Sequence, residues 1–444
     1  MILILLAIAA VILLVLLGIG KIPLGYNVRN LTVRWKTTLM TALAFTAVIA
    51  LLIVMMAFVH GMRRLTEQTG QPGNVIVLAD GATDEVISNL TIGDLSEIEN
   101  LPDVVRTDGR PMASRETFLV ANQPIPNTSD GRPKRRFLQL RGIEDPRLTA
   151  GVHGLELLPG GSWFSEAGVQ EAPAAGPNGG TSAPLIQAVL GEGVAHELGR
   201  SRSREELAAA KNRNRLDLGD TFILGDRAWI VVGILNSAGS TFNSEIWAKR
   251  SLAASLFGKN NYTTLVLRTK DADAAKKLKK FLSEDYKKAA VNAQVETEYY
   301  KSLSETTAQF SWAVGFIAVV MSVGGIFGVM NTMFAAIGQR TGDIGVLRIL
   351  GYARWHVLVS FLLESLVIAL VGGLLGCLLG SLTDGWTATS IVGGHGGGKS
   401  VVLQLAISAD IIATGILLTL LMGLLGGLLP ALSAMRLKPL EALR

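Results

Sequence analysis

The chain has 444 residues, of which 49% are hydrophobic and 17% are charged. This composition is too apolar for an ordinary soluble domain of that length and is typical of a membrane protein that carries some soluble mass. A single cysteine, Cys377, excludes an intrachain disulfide and a cysteine-rich metal site, and five histidines leave little for a histidine-based one.

Five segments are long and apolar enough to cross a membrane as helices, for which about 20 residues suffice. They are residues 1–20, 37–59, 310–339, 357–383 and 411–435. No basic residue precedes Lys21, so the first segment lacks the basic start of a secretory signal peptide. We therefore predict an extra span at 1–20 with its N-terminus outside, and keep a signal-like segment or a misassigned start as alternatives.

Short basic segments flank the spans and predict their orientation, because Lys and Arg favour the cytoplasmic side. Residues 21–36, 339–356 and 436–444 together hold ten basic and two acidic residues. Two spans separate each of these segments from the next, so all three are cytoplasmic if the long segment between spans two and three is outside. We predict a multi-pass protein of the cytoplasmic (inner) membrane with a large extracytoplasmic domain.

The long segment 61–309 has a soluble composition with mixed strand and helix patterns. Apolar runs predict strands at 74–78, 185–190, 221–224, 229–234 and 262–267. The Gly225-Asp226 dipeptide is a plausible hairpin turn. Periodic patterns predict helices at 92–101, 193–198 and 271–286, and loop-forming residues fill 123–135 and 171–184. These patterns predict an α+β domain with a subdomain inserted around 110–180, without acidic, histidine or serine residues at catalytic spacing. Its near-neutral charge argues against nucleic-acid binding.

Several stretches resemble one known family. Residues 339–351 (QRTGDIGVLRILG) and 361–365 (FLLES) are similar to the cytoplasmic loop and following span of the MacB/FtsX-type permeases of ATP-binding-cassette (ABC) transporters, the type VII family. Further similar stretches lie at 26–41 and 430–443, and those that resemble the family's periplasmic core domain lie at 190–199, 216–224, 229–235 and 240–247. The segment 1–20 departs from the family's usual four spans.

This resemblance implies a domain organisation. Residues 21–60 form a cytoplasmic entry helix and span, 61–309 a MacB-like extracytoplasmic domain, 310–435 a three-span FtsX-like domain, and 436–444 a cytoplasmic tail. The predicted fold class is thus a membrane α-helical protein of five spans, four of them family-like, with a large α+β domain inserted between spans two and three.

The resemblance also implies a function. The chain is expected to be a permease subunit that passes ATP-driven motion to its outer domain, for export or for handling of lipoproteins, lipids or peptides. ATP and Mg²⁺ are then bound by a separate cytoplasmic ATPase dimer, and this chain is neither an enzyme nor a holder of a cofactor or metal. Expected partners also include an identical or paralogous permease and an extracytoplasmic adaptor or hydrolase. The alternative is an FtsX-like signalling scaffold that activates a cell-wall hydrolase.

The loop at 339–356 is the main candidate site. Its residues alternate between apolar and charged. This pattern fits either a simple turn between two spans with its positive charges on the cytoplasmic side, or an amphipathic helix that docks into a groove of a cytoplasmic protein. The resemblance favours the second reading, a coupling helix that contacts the ATPase. The assigned coupling residues are Gln339, Arg340, Asp343, Ile344, Gly345, Leu347, Arg348 and Gly351.

Glu364 is the charged residue inside a predicted span, about two turns from its start. Carboxylates within membranes are costly and often functional. We expect Glu364 to pair with a nearby arginine such as Arg354 or Arg348. Proton coupling and signalling between helices are the alternatives.

Residues 393–400 match the P-loop pattern G-x-x-x-x-G-K-[ST], with Gly393, Gly398, Lys399 and Ser400 at its fixed positions. A P-loop holds phosphate because it follows a buried strand and opens a helix. Here the pattern follows a membrane span on the predicted outer side, so we interpret it as a glycine-rich loop that only resembles a Walker motif.

Overall fold

The computed structural model describes residues 33–437 except 34, 68, 126–134, 172–183, 238, 303–304 and 393–398. Within these residues, the helices long and apolar enough to cross a membrane are Trp35–Leu65, Gln309–Gly338, Arg354–Ser381 and Ala409–Arg436. The segment 1–20 lies outside the described residues, so the fifth span stays a prediction. The same holds for most of 21–36 and for the tail beyond Leu437.

The α-helices in chain order are α1 (Trp35–Glu67), α2 (Ile92–Ile98), α3 (Pro146–His153), α4 (Glu192–Arg200), α5 (Arg204–Ala209), α6 (Arg250–Phe257), α7 (Ala272–Lys280), α8 (Glu296–Ser302), α9 (Glu305–Gly338), α10 (Thr341–Ile349), α11 (Arg354–Ser381) and α12 (Ala409–Arg436). A 3₁₀-helix at Thr241–Ser244 and a π-helix at Phe281–Asp285 complete the described helical segments.

The strands are β1 (Asn74–Ala79), β2 (Arg106–Thr107), β3 (Arg110–Pro111), β4 (Ala113–Pro124), β5 (Arg135–Ile143), β6 (Val169–Gln170), β7 (Leu185–Gly191), β8 (Thr221–Leu224), β9 (Arg227–Leu235), β10 (Glu245–Lys249), β11 (Thr264–Arg268), β12 (Val291–Val295), β13 (Thr387–Val392) and β14 (Lys399–Gln404).

The chain divides into two compact units. The membrane unit comprises Met1–His60, Gln309–Trp386 and Leu405–Arg444, and the outer unit comprises Gly61–Ala308 and Thr387–Gln404. This division differs from the predicted three-span domain at 310–435, because the hairpin β13–β14 inside that range groups with the outer unit.

Close approach of helices characterises the membrane unit. A Cβ added to Gly376 of α11 would lie 2.8 Å from Ile49 Cβ of α1, and one added to Gly423 of α12 would lie 2.6 Å from Ala369 Cβ of α11. Small residues at these positions allow the backbones to pack directly on one another. The last helix, α12, continues through Pro430 to Arg436.

One mixed sheet forms the centre of the outer unit, with the strand order β12-β1-β11-β4-β5-β10-β7-β9-β8 and β6 paired with β7. The β5–β10 and β7–β9 pairs are parallel, and the other pairs in the sheet are antiparallel. One apolar core lies around Trp229, Leu190 and Leu198, and a second lies around Val75, Leu265 and Leu278. The hairpin β13–β14 contacts α4, β5 and the 3₁₀-helix of the same unit, where Leu403 is fully buried.

Local sequence chemistry explains several element boundaries. The predicted turn at Gly225-Asp226 joins β8 to β9, with positive φ values of 57° and 60° that a tight hairpin turn requires. Asp145 caps α3 by accepting hydrogen bonds from the amides of Arg147 and Leu148, and Gly154 ends the helix in the left-handed conformation.

One expectation for the outer segment was wrong. The range 110–180 is no separate subdomain, because β4 and β5 lie within the central sheet. The helix expected at 271–286 is confirmed, as the α-helix Ala272–Lys280 that continues as the π-helix Phe281–Asp285.

Candidate functional site

The predicted coupling segment folds as the short helix α10, between α9 and α11. Arg340 occupies the N-cap position, and its carbonyl accepts a hydrogen bond from the Ile344 amide at 3.0 Å. At the other end Gly351 has a φ of 90°, which permits the sharp exit from the helix. The segment is thus a rigid turn of helix that starts and stops at defined residues.

The inner face of α10 packs within the membrane unit. Ile344 is 1% exposed and belongs to one apolar cluster with Val357 and Phe361 of α11. Gly345 is also buried, and Leu347 is partly buried beside the same helix. These residues hold α10 in place and are not available to a partner.

A buried ion pair anchors the start of α10. Arg340 Nη1 lies 2.9 Å from Glu364 Oε2, and Nη2 lies 3.0 Å from Oε1. The two side chains are 3% and 4% exposed. A bidentate arginine–carboxylate pair fixes orientation as well as distance. The expected partners of Glu364, Arg354 and Arg348, were wrong: Arg354 is exposed at the start of α11, and the Arg348 guanidinium donates to the Tyr352 carbonyl.

The outer face of α10 is apolar and is not covered by any of the residues that the structure describes. Val346, Ile349 and Leu350 are 47%, 62% and 71% exposed. Their spacing of three and four residues places them on one side of the helix. Trp355, at the second position of α11, is 66% exposed. We call Val346, Ile349 and Leu350 the docking face.

The predicted coupling residues therefore divide into three groups. Gln339, Asp343 and Gly351 are exposed, whereas Arg340, Ile344 and Gly345 are buried, and Leu347 and Arg348 are intermediate. The docking face was absent from the predicted set. Its spacing of three and four residues was visible in the sequence, but the pattern alone does not tell which side of so short a helix is covered.

The P-loop-like pattern has a different setting from a phosphate-binding loop. Lys399 and Ser400 are the first residues of β14, which pairs antiparallel with β13. A P-loop lysine precedes a helix. Residues 393–398, including Gly393 and Gly398, lie outside the described residues, so their interpretation as a glycine-rich loop stays a prediction. The described part of the chain contains no group of three or more His, Cys, Asp or Glu side chains that can hold a metal.

Two family models match the chain. Residues 38–284 match the MacB-like periplasmic core domain, and residues 315–439 match the FtsX-like permease C-terminal domain.

Two of the curated relatives are ABC transporter proteins. The uncharacterized ABC transporter permease YknZ of Bacillus subtilis is 30% identical over 236 residues, which cover 50% of this chain and 57% of YknZ. The macrolide export ATP-binding/permease protein MacB of Burkholderia cenocepacia is 24% identical over 422 residues, which cover 91% of this chain and 55% of that protein. The chain spans about half the length of the curated relatives it matches.

Among solved structures, the periplasmic region of MacB from Actinobacillus actinomycetemcomitans is similar at 15% identity, with a TM-score of 0.33. The match covers 55% of this chain and 96% of that one.

Proposed function

We propose, from the premise that this chain belongs to the MacB/FtsX-type permeases of ABC transporters, that it passes ATP-driven motion from cytoplasmic ATPase subunits to its extracytoplasmic unit. In this proposal ATP and Mg²⁺ are bound and hydrolysed by the partner subunits. The permease pairs with a second permease, identical or paralogous, in the cytoplasmic (inner) membrane.

The observation that carries the proposal is the two-sided character of α10. Its inner face is held by Ile344 and by the buried Arg340–Glu364 pair, and its docking face is exposed and apolar. A helix whose apolar face is left exposed by the described part of the chain is suited to a groove on another protein. Because the inner anchor is rigid, a push on the docking face moves α9 and α11 with it.

Continuous helical backbone supports the transmission step. The sequence boundaries between the units at residues 60–61 and 308–309 fall inside α1 and α9. A displacement of either helix along its axis therefore reaches the outer unit through hydrogen-bonded turns. No transported molecule has to pass between the spans in this mechanism.

The outer activity in the proposal is export, or handling of lipoproteins, lipids or peptides at the outer face. The match of 38–284 to the MacB-like core domain supports this branch over a signalling scaffold for a cell-wall hydrolase. Copurification of the full chain from its host separates the two. An adaptor-like partner supports export, and a cell-wall hydrolase supports signalling.

A photocrosslinking experiment tests the docking step. A photoreactive amino acid replaces Ile349 in the full chain, expressed in its host, and captured proteins are identified by mass spectrometry. We expect an ABC-type ATPase at Ile349. The matched control places the same amino acid at Leu378, which is also a large exposed aliphatic residue, at 60%, but lies far along α11. Absence of an ATPase at Ile349, or equal capture at both positions, overturns the proposal.

A further inference from the structure

Six ionisable side chains that the sequence patterns do not connect are buried together in the outer unit. They are Glu85, Glu116, Arg141, His153, Glu245 and Glu296. They come from separate elements: a loop, β4, β5, α3, β10 and α8. Four carboxylates and two basic groups removed from water must pair with one another, since an unpaired buried charge is very costly.

Arg141 organises the half of this cluster that lies in the sheet. Its guanidinium donates to both oxygens of Glu245, at 2.6 Å and 2.8 Å, to Glu85 at 2.8 Å, and to Glu116. The guanidinium also lies 4.9 Å from the ring centroid of Phe118 and 5.2 Å from that of Trp247. The central strands β4, β5 and β10 are therefore joined through one side chain.

His153 joins this half to α8. Its Nε2 lies 2.6 Å from Glu116 Oε1, and its Nδ1 lies 2.9 Å from Glu296 Oε1. Because each ring nitrogen faces a carboxylate, both nitrogens donate and the ring is an imidazolium. Burial by itself lowers the pKa of His153, but the charges of Glu116 and Glu296 outweigh it and raise the pKa to about 10.

Glu296 then contacts the segments that lie beside two of the four covalent connections of the outer unit, those at 60–61 and 308–309. Its Oε2 accepts hydrogen bonds from the Gln71 amide and from Asn74 Nδ2, both at 2.8 Å. Gln71 follows the end of α1, and Glu296 itself begins α8, which precedes α9. One carboxylate thus links the chain that enters the unit to the chain that leaves it.

We propose that Glu296 and His153 form a joint that makes the entering and leaving segments of the outer unit move as one body with its central sheet. That the joint transmits ATP-driven motion rests on the proposed function. That it links these segments mechanically does not. The path runs from Gln71 and Asn74 through Glu296, His153 and Glu116 to Arg141. Each step is a hydrogen bond to a charged group, and every step beyond the part-buried Gln71 amide is buried, where solvent screening is weak.

Hydrogen–deuterium exchange of the full chain in lipid nanodiscs tests the joint. The compared variants are Glu296→Gln and His153→Gln. In both, we expect peptides that cover 71–78 and 291–302 to exchange at least tenfold faster, while peptides of β5 and β10 keep their protection. The Gln71 amide, which donates to Glu296, reports the break directly.

Thr117→Val is the matched control. Thr117 lies next to Glu116 on β4, and its buried hydroxyl donates a hydrogen bond to the Asn261 carbonyl at 3.1 Å. We expect this variant to leave both peptides unchanged. Faster exchange at only one of the two segments, uniform acceleration across the sheet, or the same effect in Thr117→Val overturns the proposal.

If Glu296→Gln and His153→Gln do not fold, a milder variant tests the joint. Asn74→Ala removes the hydrogen bonds of Asn74 Nδ2 to Glu296 and to the Val152 carbonyl. The joint predicts faster exchange at the α8 residues 296–302, which lie beyond the β1–β12 pairing, as well as at 71–78. A change that leaves 296–302 unaffected overturns the joint. None of these measurements involves an ATPase, so failure of the joint is distinguishable from failure of the crosslinking test.

Discussion

Arg340 and Glu364 face each other across the start of α10 as a bidentate, almost fully buried ion pair, although 24 residues separate them in the chain. The pair joins the turn between α9 and α10 to the interior of α11. Arg340, which the sequence analysis assigned to the ATPase contact, is therefore an internal anchor of α10. This arrangement explains why a carboxylate is present inside a membrane helix.

Removal of one partner of this pair is predicted to lower the free energy of unfolding more than removal of both partners. Glu364→Ala leaves a buried guanidinium unpaired and should cost about 3–5 kcal/mol in the free energy of unfolding. The double variant Arg340→Met/Glu364→Leu should cost less than either single change. Denaturant unfolding of the purified protein in detergent measures both values. Additive losses in the double variant would contradict the pairing.

Charge on the docking face should abolish binding of the ATPase. Ile349→Asp is expected to lower copurification of the ATPase at least tenfold, because a carboxylate replaces an apolar contact in a groove. The outer unit should keep its protease resistance. Ala353→Asp is the control, since it adds the same carboxylate at the exposed N-cap position of α11, outside the docking face and the assigned coupling residues. Equal binding by the two variants would show that the face is not the contact.

Helix packing predicts opposite outcomes for two glycines in the membrane unit. Gly376→Ala should destabilise the protein by about 1–3 kcal/mol, because its Cβ would meet Ile49 Cβ at 2.8 Å. Gly328→Ala should be neutral or slightly stabilising, because no atom of the described residues lies within 4 Å of its added Cβ and alanine favours the helix. Thermal unfolding in detergent compares the two variants. A loss at Gly328 as large as that at Gly376 would contradict this prediction and would indicate a contact at Gly328 from beyond the described residues.

Alkaline pH should weaken the outer unit through His153. The folded pKa of about 10 lies above the ordinary value of 6.5, so this group's contribution to stability is complete below about 6.5 and is lost as pH rises through about 10. The groups that face it are Glu116 and Glu296, with Arg141 behind Glu116. Urea unfolding followed by tryptophan fluorescence is suitable, since Trp247 lies 6.0 Å from the His153 ring.

The comparison variant for the pH experiment is His153→Gln. The stability difference between the wild type and this variant should be largest near neutral pH and should shrink above pH 10. A difference that is constant with pH would mean that His153 is neutral in the folded protein.

Membrane-impermeant maleimide should distinguish the two sides of the membrane. In a Cys377→Ala background, a cysteine at Lys276, whose side chain is 63% exposed in the outer unit, should react in intact cells. A cysteine at the exposed Gln339 should react only after the membrane is permeabilised. Reaction of the Gln339 position in intact cells would reverse the orientation.

Sequence patterns predicted the four spans within the described residues and several strands, because those features depend on local composition. The hairpin at Gly225-Asp226 is of this kind, since the left-handed backbone and the flanking apolar residues occur within a few positions. The predicted strand boundaries 74–78 and 185–190 also lie within one residue of the observed boundaries of β1 and β7.

The strands β4 and β5 were missed because their burial depends on remote partners. Glu116 and Arg141 interrupt the apolar pattern of these strands, and they are tolerated inside only because the fold brings them together with His153 and Glu245. The partner of Glu364 was missed for a related reason. Proximity in sequence favoured Arg348 and Arg354, whereas the turn before α10 brings Arg340 onto α11.

The membership of β13–β14 in the outer unit has a consequence for biosynthesis. The outer unit is incomplete when Ala308 leaves the ribosome, because its last hairpin follows only after α9 and α11 have entered the membrane. Domains otherwise tend to fold in the order of synthesis. The surface of α4 and β5 that the hairpin covers therefore stays exposed until residues 387–404 have been synthesised. A recombinant fragment that stops at Ala308 would carry this surface permanently exposed, whereas a fusion that appends 387–404 would restore it.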